Sequence, residues 1–218
     1  MSLNSAVELI RFNSRQELLE AKGSNNQLHD ADLNYLNLSG LDLSNLDLSG
    51  ASISFTRLNG ACLDGSDLSD AFFQDADWRD VSLLGACLDN ALIQRVDMRR
   101  SCFEQASMES CQLLRCNLEE SRFNKAKLYD AQVLDCNLFQ SDFSSANLES
   151  VEFSSSNLEQ ARFVDCNLEN ADLRKTALGM AIFENVNVNG ALYYGKSPWD
   201  GKSLNEDWQQ RLKSFDGE

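Results

Sequence analysis

Ala31-Asp32-Leu33-Asn34-Tyr35 opens, and Ala191-Leu192-Tyr193-Tyr194-Gly195 closes, a run in which an apolar residue recurs at every fifth position with no insertion or deletion. The run is 165 residues long, which is thirty-three units of five. Steps of five from Leu33 land on Leu38, Leu43, Leu48, Ile53, Leu58, Leu63, Leu68, Phe73 and Trp78, and continue to Val188 and Tyr193. Two residues before these centres the chain is small or apolar, as at Ala31, Ala51, Ala61, Ser66, Ala71, Cys111, Cys116 and Ala131. A period of five fits neither the 3.6 of a helix nor the 2 of a strand, so each unit must contain its own change of direction.

If the centre and the small residue before it both point inward, four units complete one square turn of twenty residues. The chain carries its own check on that number. Every twentieth residue from Leu43 reads Leu43, Leu63, Leu83, Phe103, Phe123, Phe143, Phe163, Phe183, which places five phenylalanines in one inner column. Starting one unit later breaks the run, so four units per coil is preferred to three or five.

The units Ala31-Asp32-Leu33, Ala146-Asn147-Leu148 and Ala171-Asp172-Leu173 have the A-(D/N)-L-x-x form of the pentapeptide-repeat family, which this chain resembles over about three-quarters of its length. The resemblance implies an all-β solenoid: a right-handed quadrilateral parallel β-helix of about eight four-sided coils stacked at roughly 4.8 Å. It names no single function. The family includes DNA-mimicking proteins that bind topoisomerases and many members with no assigned role.

Composition agrees with one repetitive domain. The 218 residues are 43% hydrophobic, include a single proline, and carry a formal charge of −15. Residues 1–30 are expected to be an N-terminal cap with a short helix, 31–195 the β-helix, and 196–218 a turn and capping helix. The seven cysteines lie on the repeat lattice. Cys116 and Cys136 fall one coil apart, within disulfide reach, yet buried free thiols in a reducing cytoplasm explain the set better. No leader and no membrane-length apolar run stands out. One histidine, His29, leaves no Ser-His-acid or Cys-His set, no zinc spacing and no phosphate loop, so neither an enzyme nor a metal or cofactor site is expected.

Ser14-Arg15-Gln16-Glu17 has the form of a capping box ahead of Leu18 and Leu19, with Gly23 as a closing signal. Val7, Leu9, Ile10, Phe12, Leu18 and Leu19 are expected to form the lid on the first coil. At the other end Ser203-Leu204-Asn205-Glu206 is a second capping box, with Leu204, Trp208, Leu212 and Phe215 on one face of a helix that closes the last coil. In DNA-mimicking members of the family this end also makes the dimer, so monomer and homodimer both stay open. Corners at Gly40, Gly50, Gly60, Gly65 and Gly85 supply the positive φ of a type II turn. Where Arg, Asp, Gln, Ser or Asn replaces glycine, the turn type is expected to change.

Sorting outward positions by face puts Asp47, Asp67, Asp70, Asp89, Glu109, Asp130, Glu149 and Glu169 together, against Lys127 alone. The other three faces mix signs. Eight carboxylates along one side of a rod approach the charge density of duplex DNA, so one reading is a mimic that binds a type II topoisomerase, DNA gyrase or topoisomerase IV. Ordinary solubilising charge is the other reading of the same residues. Nucleic acid and membrane are not expected as direct partners. A second patch comprises outward Phe72, Leu92, Leu114 and Leu134, with Arg95, Arg99, Arg100 and Arg115 read as a neighbouring basic cluster. It would suit a rigid scaffold or adaptor without DNA mimicry.

Overall fold

The computed structural model describes residues 10–25, 28–193 and 213–214. Asp32 pairs in parallel with Ser52, Ser52 with Phe72, Phe72 with Leu92, and so on through Gln112, Gln132, Glu152 and Asp172 to Leu192, eight steps of twenty residues. Equivalent ladders start at Asn37, Asp42 and Asp47. Each coil therefore has four sides of five residues, and the chain is a right-handed quadrilateral parallel β-helix. We name the sides by their first centres: the Leu33, Leu38, Leu43 and Leu48 faces. Most sides pair through one bridge per coil. Longer strands form on the Leu33 face, where β1 (Phe72–Gln74), β2 (Leu92–Gln94), β3 (Gln112–Leu114) and β4 (Gln132–Leu134) make one parallel sheet, and on the Leu43 face, as β5 (Arg162–Val164) and β6 (Ile182–Glu184).

The interior is two stacked residues per side. Centres and small residues are buried almost throughout. The inner phenylalanine column exists as expected: Phe103, Phe123, Phe143, Phe163 and Phe183 stack with successive centroid distances of 4.8, 4.8, 5.2 and 4.7 Å. Their spacing matches the coil rise. Trp78 is buried edge-on to Phe73 at 4.6 Å.

All thirty-three corners from Asp30 to Gly190 have positive φ, twenty-seven at non-glycine residues and six at glycine. This corrects the expectation that the corner changes where glycine is replaced: φ stays between +52° and +71° whether the residue is Gly, Asp, Arg, Lys or Phe. The reason is the ladder. From Asp30 to Ser150 each corner N–H donates to the next coil, Gly40 to the Asn59 carbonyl at 3.0 Å and Arg95 to that of Leu114 at 2.9 Å, and this backbone aims it there. A left-handed conformation costs an L-residue roughly 1–2 kcal/mol, and the bond offsets that cost.

What does vary is the hydrogen bond that closes the corner. After Leu48 it is the ordinary one, the Ala51 N–H donating to the Leu48 carbonyl at 3.1 Å. After Leu43, Trp78 and Val133 a serine hydroxyl from the next coil is inserted instead. Ser101 Oγ accepts from the Val81 N–H and donates to the Trp78 carbonyl; Ser66 does the same for Leu46 and Leu43, and Ser156 for Cys136 and Val133. Cys136 Sγ plays this part for the Cys116 N–H and the Leu113 carbonyl, both at 3.3 Å. The small inward column is thus partly a column of corner bridges. All seven cysteines are free thiols, so no disulfide joins Cys116 to Cys136. Burial pushes Cys111 and Cys166 up to about 12, and the Cys116 hydrogen bond and burial raise Cys136.

At the N-terminal end α1 (Arg15–Asn25) runs past Gly23, correcting the expected stop there. Ser14 Oγ accepts from the Glu17 N–H at 3.2 Å, while the Glu17 carboxylate takes the Asn13 N–H at 2.8 Å. Phe12, Leu18 and Leu28 are buried on the first coil, and Leu19 packs against them. Ile10 is 50% exposed and so does not belong to the lid, because residues 10–12 pair along the edge of the coil at Asp32 and turn Ile10 outward. Val7 and Leu9 lie outside the described residues. At the other end β7 (Leu192–Tyr193) pairs with β8 (Lys213–Ser214). The expected helix therefore does not run through residues 213–214, which the ladder holds extended. Leu204, Trp208, Leu212 and Phe215 lie outside the described residues.

Candidate functional site: the acidic face and the arginine edge

The register brings the eight acidic residues together on the Leu48 face, in three parallel columns. Asp47 and Asp67 stand before the centres, Asp89, Glu109, Glu149 and Glu169 after them, and Asp70 and Asp130 at the corner. None of the ion pairs among the described residues involves any of the eight. Some carboxylates serve the backbone: Asp47 accepts from Ser49, Asp67 from Ser69, and Asp89 from the Glu109 N–H at 2.8 Å. Glu149 and Glu169 receive amide protons of Asn167 and Asn187. Asp70, Glu109 and Asp130 make no such bond through their carboxylates among the described residues, and Asp70 and Asp130 are exposed. Tyr129, 43% exposed in the column between Glu109 and Glu149, is an aromatic addition that the charge sort alone passed over.

The second patch changes character. Phe72 stacks on Leu92, and Leu114 on Leu134, as the twenty-residue register requires, but all four are half-buried. Their arginine neighbours are not a free basic cluster. Arg95 is bidentate to Asp75 at 2.7 and 2.8 Å, Arg99 to Asp97 at 2.9 and 2.7 Å, and Arg100 to Asp80 at 2.8 and 2.9 Å, while Arg115 lies 3.6 Å from Asp135. Nor do they share an edge: Arg95 and Arg115 occupy the corner after the Leu33 face, Arg99 sits on the Leu38 face, and Arg100 is at that face's far corner. The residue lattice of five put them close in sequence; the coil of twenty separates them in space. The Arg95 hydrogen bonds hold the Asp75 carboxyl down at about 2.

Two features of this corner are not visible in composition. Tyr35 and Phe55 occupy it one coil apart, with φ of +66° and +57°, and their rings stack at 5.0 Å and 4°. They are 70% and 45% exposed. Further along, a shallow hollow of about 200 Å³ is lined by Gln94, Arg95, Leu114, Arg115, Leu134 and Asp135. Among the described residues no group of three His, Cys, Asp or Glu side chains could hold a metal ion, and no helix is long and apolar enough to cross a membrane.

Among curated proteins none matches the sequence. A trypsin-treated variant of QnrB1, a plasmid-mediated fluoroquinolone resistance protein, is similar at 18% identity over 85% of this chain and 93% of that one, with a TM-score of 0.58; at that identity the likeness is one of fold. HetL, a pentapeptide repeat protein involved in heterocyst differentiation regulation from the cyanobacterium Nostoc, is 20% identical over 88% of this chain and 99% of its own, with a TM-score of 0.30. A family model described as pentapeptide repeat region matches residues 106–183, and one described as pentapeptide repeats (8 copies) matches residues 27–65 and 61–100. With the thirty-three-unit register and the four-sided coil, these matches show that the chain belongs to the pentapeptide-repeat family.

Proposed function

We propose that the protein is a non-enzymatic binding rod whose Leu48 face imitates the charge of duplex DNA and docks on the basic DNA-binding surface of a type II topoisomerase, DNA gyrase or topoisomerase IV. The observation that carries this reading is the set of eight carboxylates with no ion-pair partner among the described residues, on a molecule whose Asp75, Asp77, Asp80, Asp97 and Asp172 are each matched to an arginine. Unneutralised charge gathered along one face projects a field that attracts a basic partner from a distance. From Asp47 to Glu169 the face spans six coil steps, so at about 4.8 Å per step its eight charges fall roughly one per 4 Å. Duplex DNA carries one per about 1.7 Å counting both strands, and a protein on one side meets only part of that.

The test is DNA supercoiling by purified gyrase with added protein, repeated across salt concentrations and with the triple variant Asp70→Lys, Glu109→Lys, Asp130→Lys. These three carboxylates make no hydrogen bond or ion pair among the described residues, and at the corners of Asp70 and Asp130 lysine has precedents in Lys125 and Lys175, each with φ of +60°. Asp89→Lys would be a poorer choice, since it removes the bond to the Glu109 N–H. The expected result is inhibition that weakens with salt and disappears in the folded variant. Inhibition equally strong in the variant refutes the acidic face as the docking surface, and no effect on supercoiling by gyrase, nor on decatenation by topoisomerase IV assayed in the same way, refutes the partner class.

A further inference from the structure

We infer that the corner after the Leu33 face is a second, separate interaction surface, built to hold an extended acidic segment of a partner protein that places an aromatic side chain and a carboxylate about four residues apart. The corner column reads Tyr35, Phe55, Asp75, Arg95, Arg115, Asp135. At its first two positions the chain puts large rings where most corners carry Gly, Asp, Asn, Ser, Arg or Gln. Bulky side chains are uncommon in the left-handed region, and here they lie stacked and largely in water. Nothing in the core requires them, because the corner side chain points away from it. A stacked, exposed aromatic pair is a platform on which a further ring can rest, and such contacts add about 0.5–1.5 kcal/mol beyond area burial.

Charge selects the rest of the partner. Arg57, two residues after Phe55, is exposed and makes no ion pair among the described residues. Arg95 and Arg115 are stacked neighbours of like charge, and each is drawn away from the other, Arg95 back to Asp75 and Arg115 on to Asp135. The hollow beside them has Leu114 and Leu134 in its lining. Arg115 is the looser of the two, at 3.6 Å from its partner with a side chain 71% exposed, and its guanidinium has donors to spare for a second carboxylate. On this edge Arg95 and Arg115 balance Asp75 and Asp135, so a carboxylate meets the spare donors of Arg115 and the exposed Arg57 rather than a surplus of negative charge. From Phe55 to Arg115 is three coil steps, about 14 Å at 4.8 Å per step. An extended peptide covers that in about four residues.

The experiment is a methyl and aromatic NMR titration of the whole chain with the peptide acetyl-Phe-Ser-Ser-Ser-Asp-amide and with the same peptide ending in Lys. The acidic peptide is expected to shift the Leu114 and Leu134 methyl and the Tyr35 and Phe55 ring resonances saturably. Its affinity should fall at least tenfold in Arg115→Gln and in Phe55→Ser, both folded because Gln and Ser already stand at equivalent corners such as Gln140 and Ser145. Any of three results overturns the proposal: no saturable shift at millimolar peptide, equal shifts from the Lys peptide, or affinity unchanged in both variants. Shifts of the same resonances on raising the protein concentration alone also overturn it, and make a second copy of the chain the occupant.

Discussion

At Phe143 three rings converge, Phe123 and Phe163 stacked at 4.8 and 5.2 Å and Phe153 edge-on at 5.7 Å. Phe143→Ala removes all three contacts from a rigid column that cannot collapse, so a loss of about 3–5 kcal/mol is expected in denaturant unfolding. The bridging serines give a sharper comparison. Ser101→Ala strips both the Val81 N–H and the Trp78 carbonyl of their partner and should cost roughly 1–3 kcal/mol. Ser121→Ala leaves the Met98 carbonyl still accepting from the Ser101 N–H at 3.2 Å, so the same change one coil on should cost less than about 1 kcal/mol. Asp75 supplies a pH test. Its carboxyl titrates near 2 in the fold against 3.8 when unpaired, so its ion pair stabilises above pH 3.8 and that contribution is lost as pH falls through about 2. The difference in Tm between the natural chain and Asp75→Asn, present at neutral pH, should vanish near pH 2. The phenylalanine column could be read from spacing alone. The serine bridges could not, because nothing in a list of small residues says which corner keeps its own hydrogen bond.

The element of this fold is the five-residue side with its corner, and corner glycines differ by what lies over them. A side-chain carbon at Gly40 would meet nothing within 4 Å, whereas at Gly50 it would lie 2.3 Å from Asp30 Oδ1. Both have the left-handed backbone that Asn tolerates at Asn45 and Asn90. Gly40→Asn is therefore expected to stay within about 0.5 kcal/mol of the natural chain, and Gly50→Asn to cost less than about 1 kcal/mol, because the half-exposed Asp30 side chain can swing aside into solvent, both measured by thermal unfolding. The alternation of inward and outward positions was legible because a buried core admits only one register. The constancy of φ was not: glycine and arginine corners look different as residues, yet the same inter-coil hydrogen bond imposes one conformation on both. At the termini, local signals competed with the ladder. Gly23 reads as a helix stop, but α1 continues to Asn25, and the ladder takes Lys213–Ser214 as a strand.

Over the whole molecule, each coil rests only on its neighbours, so the register must be kept from end to end. One residue inserted after Ser110 would turn every later centre outward, and the coils beyond it should lose hydrogen-exchange protection while those before keep it. Inserting a copy of residues 111–130, a full coil, should leave protection intact on both sides. The same lattice decides where charge goes. Residue types and a period of twenty were enough to gather the eight acids on the Leu48 face, because every one occupies an outward position that the period assigns. Thus the chain on its own determined the solenoid, its four-sided coil, the aromatic column and the acidic side, all of which are consequences of periodicity and of which side chains can be buried. Only the tertiary structure decided which charges remain unmatched. Arg95, Arg99, Arg100 and Arg115 look like a basic cluster along the chain, but ion pairing depends on distances across coils and on the direction each long side chain takes, and neither is a property of spacing in sequence. For the same reason the Tyr35–Phe55 stack and the hollow beside Arg115 came into view only with the folded rod.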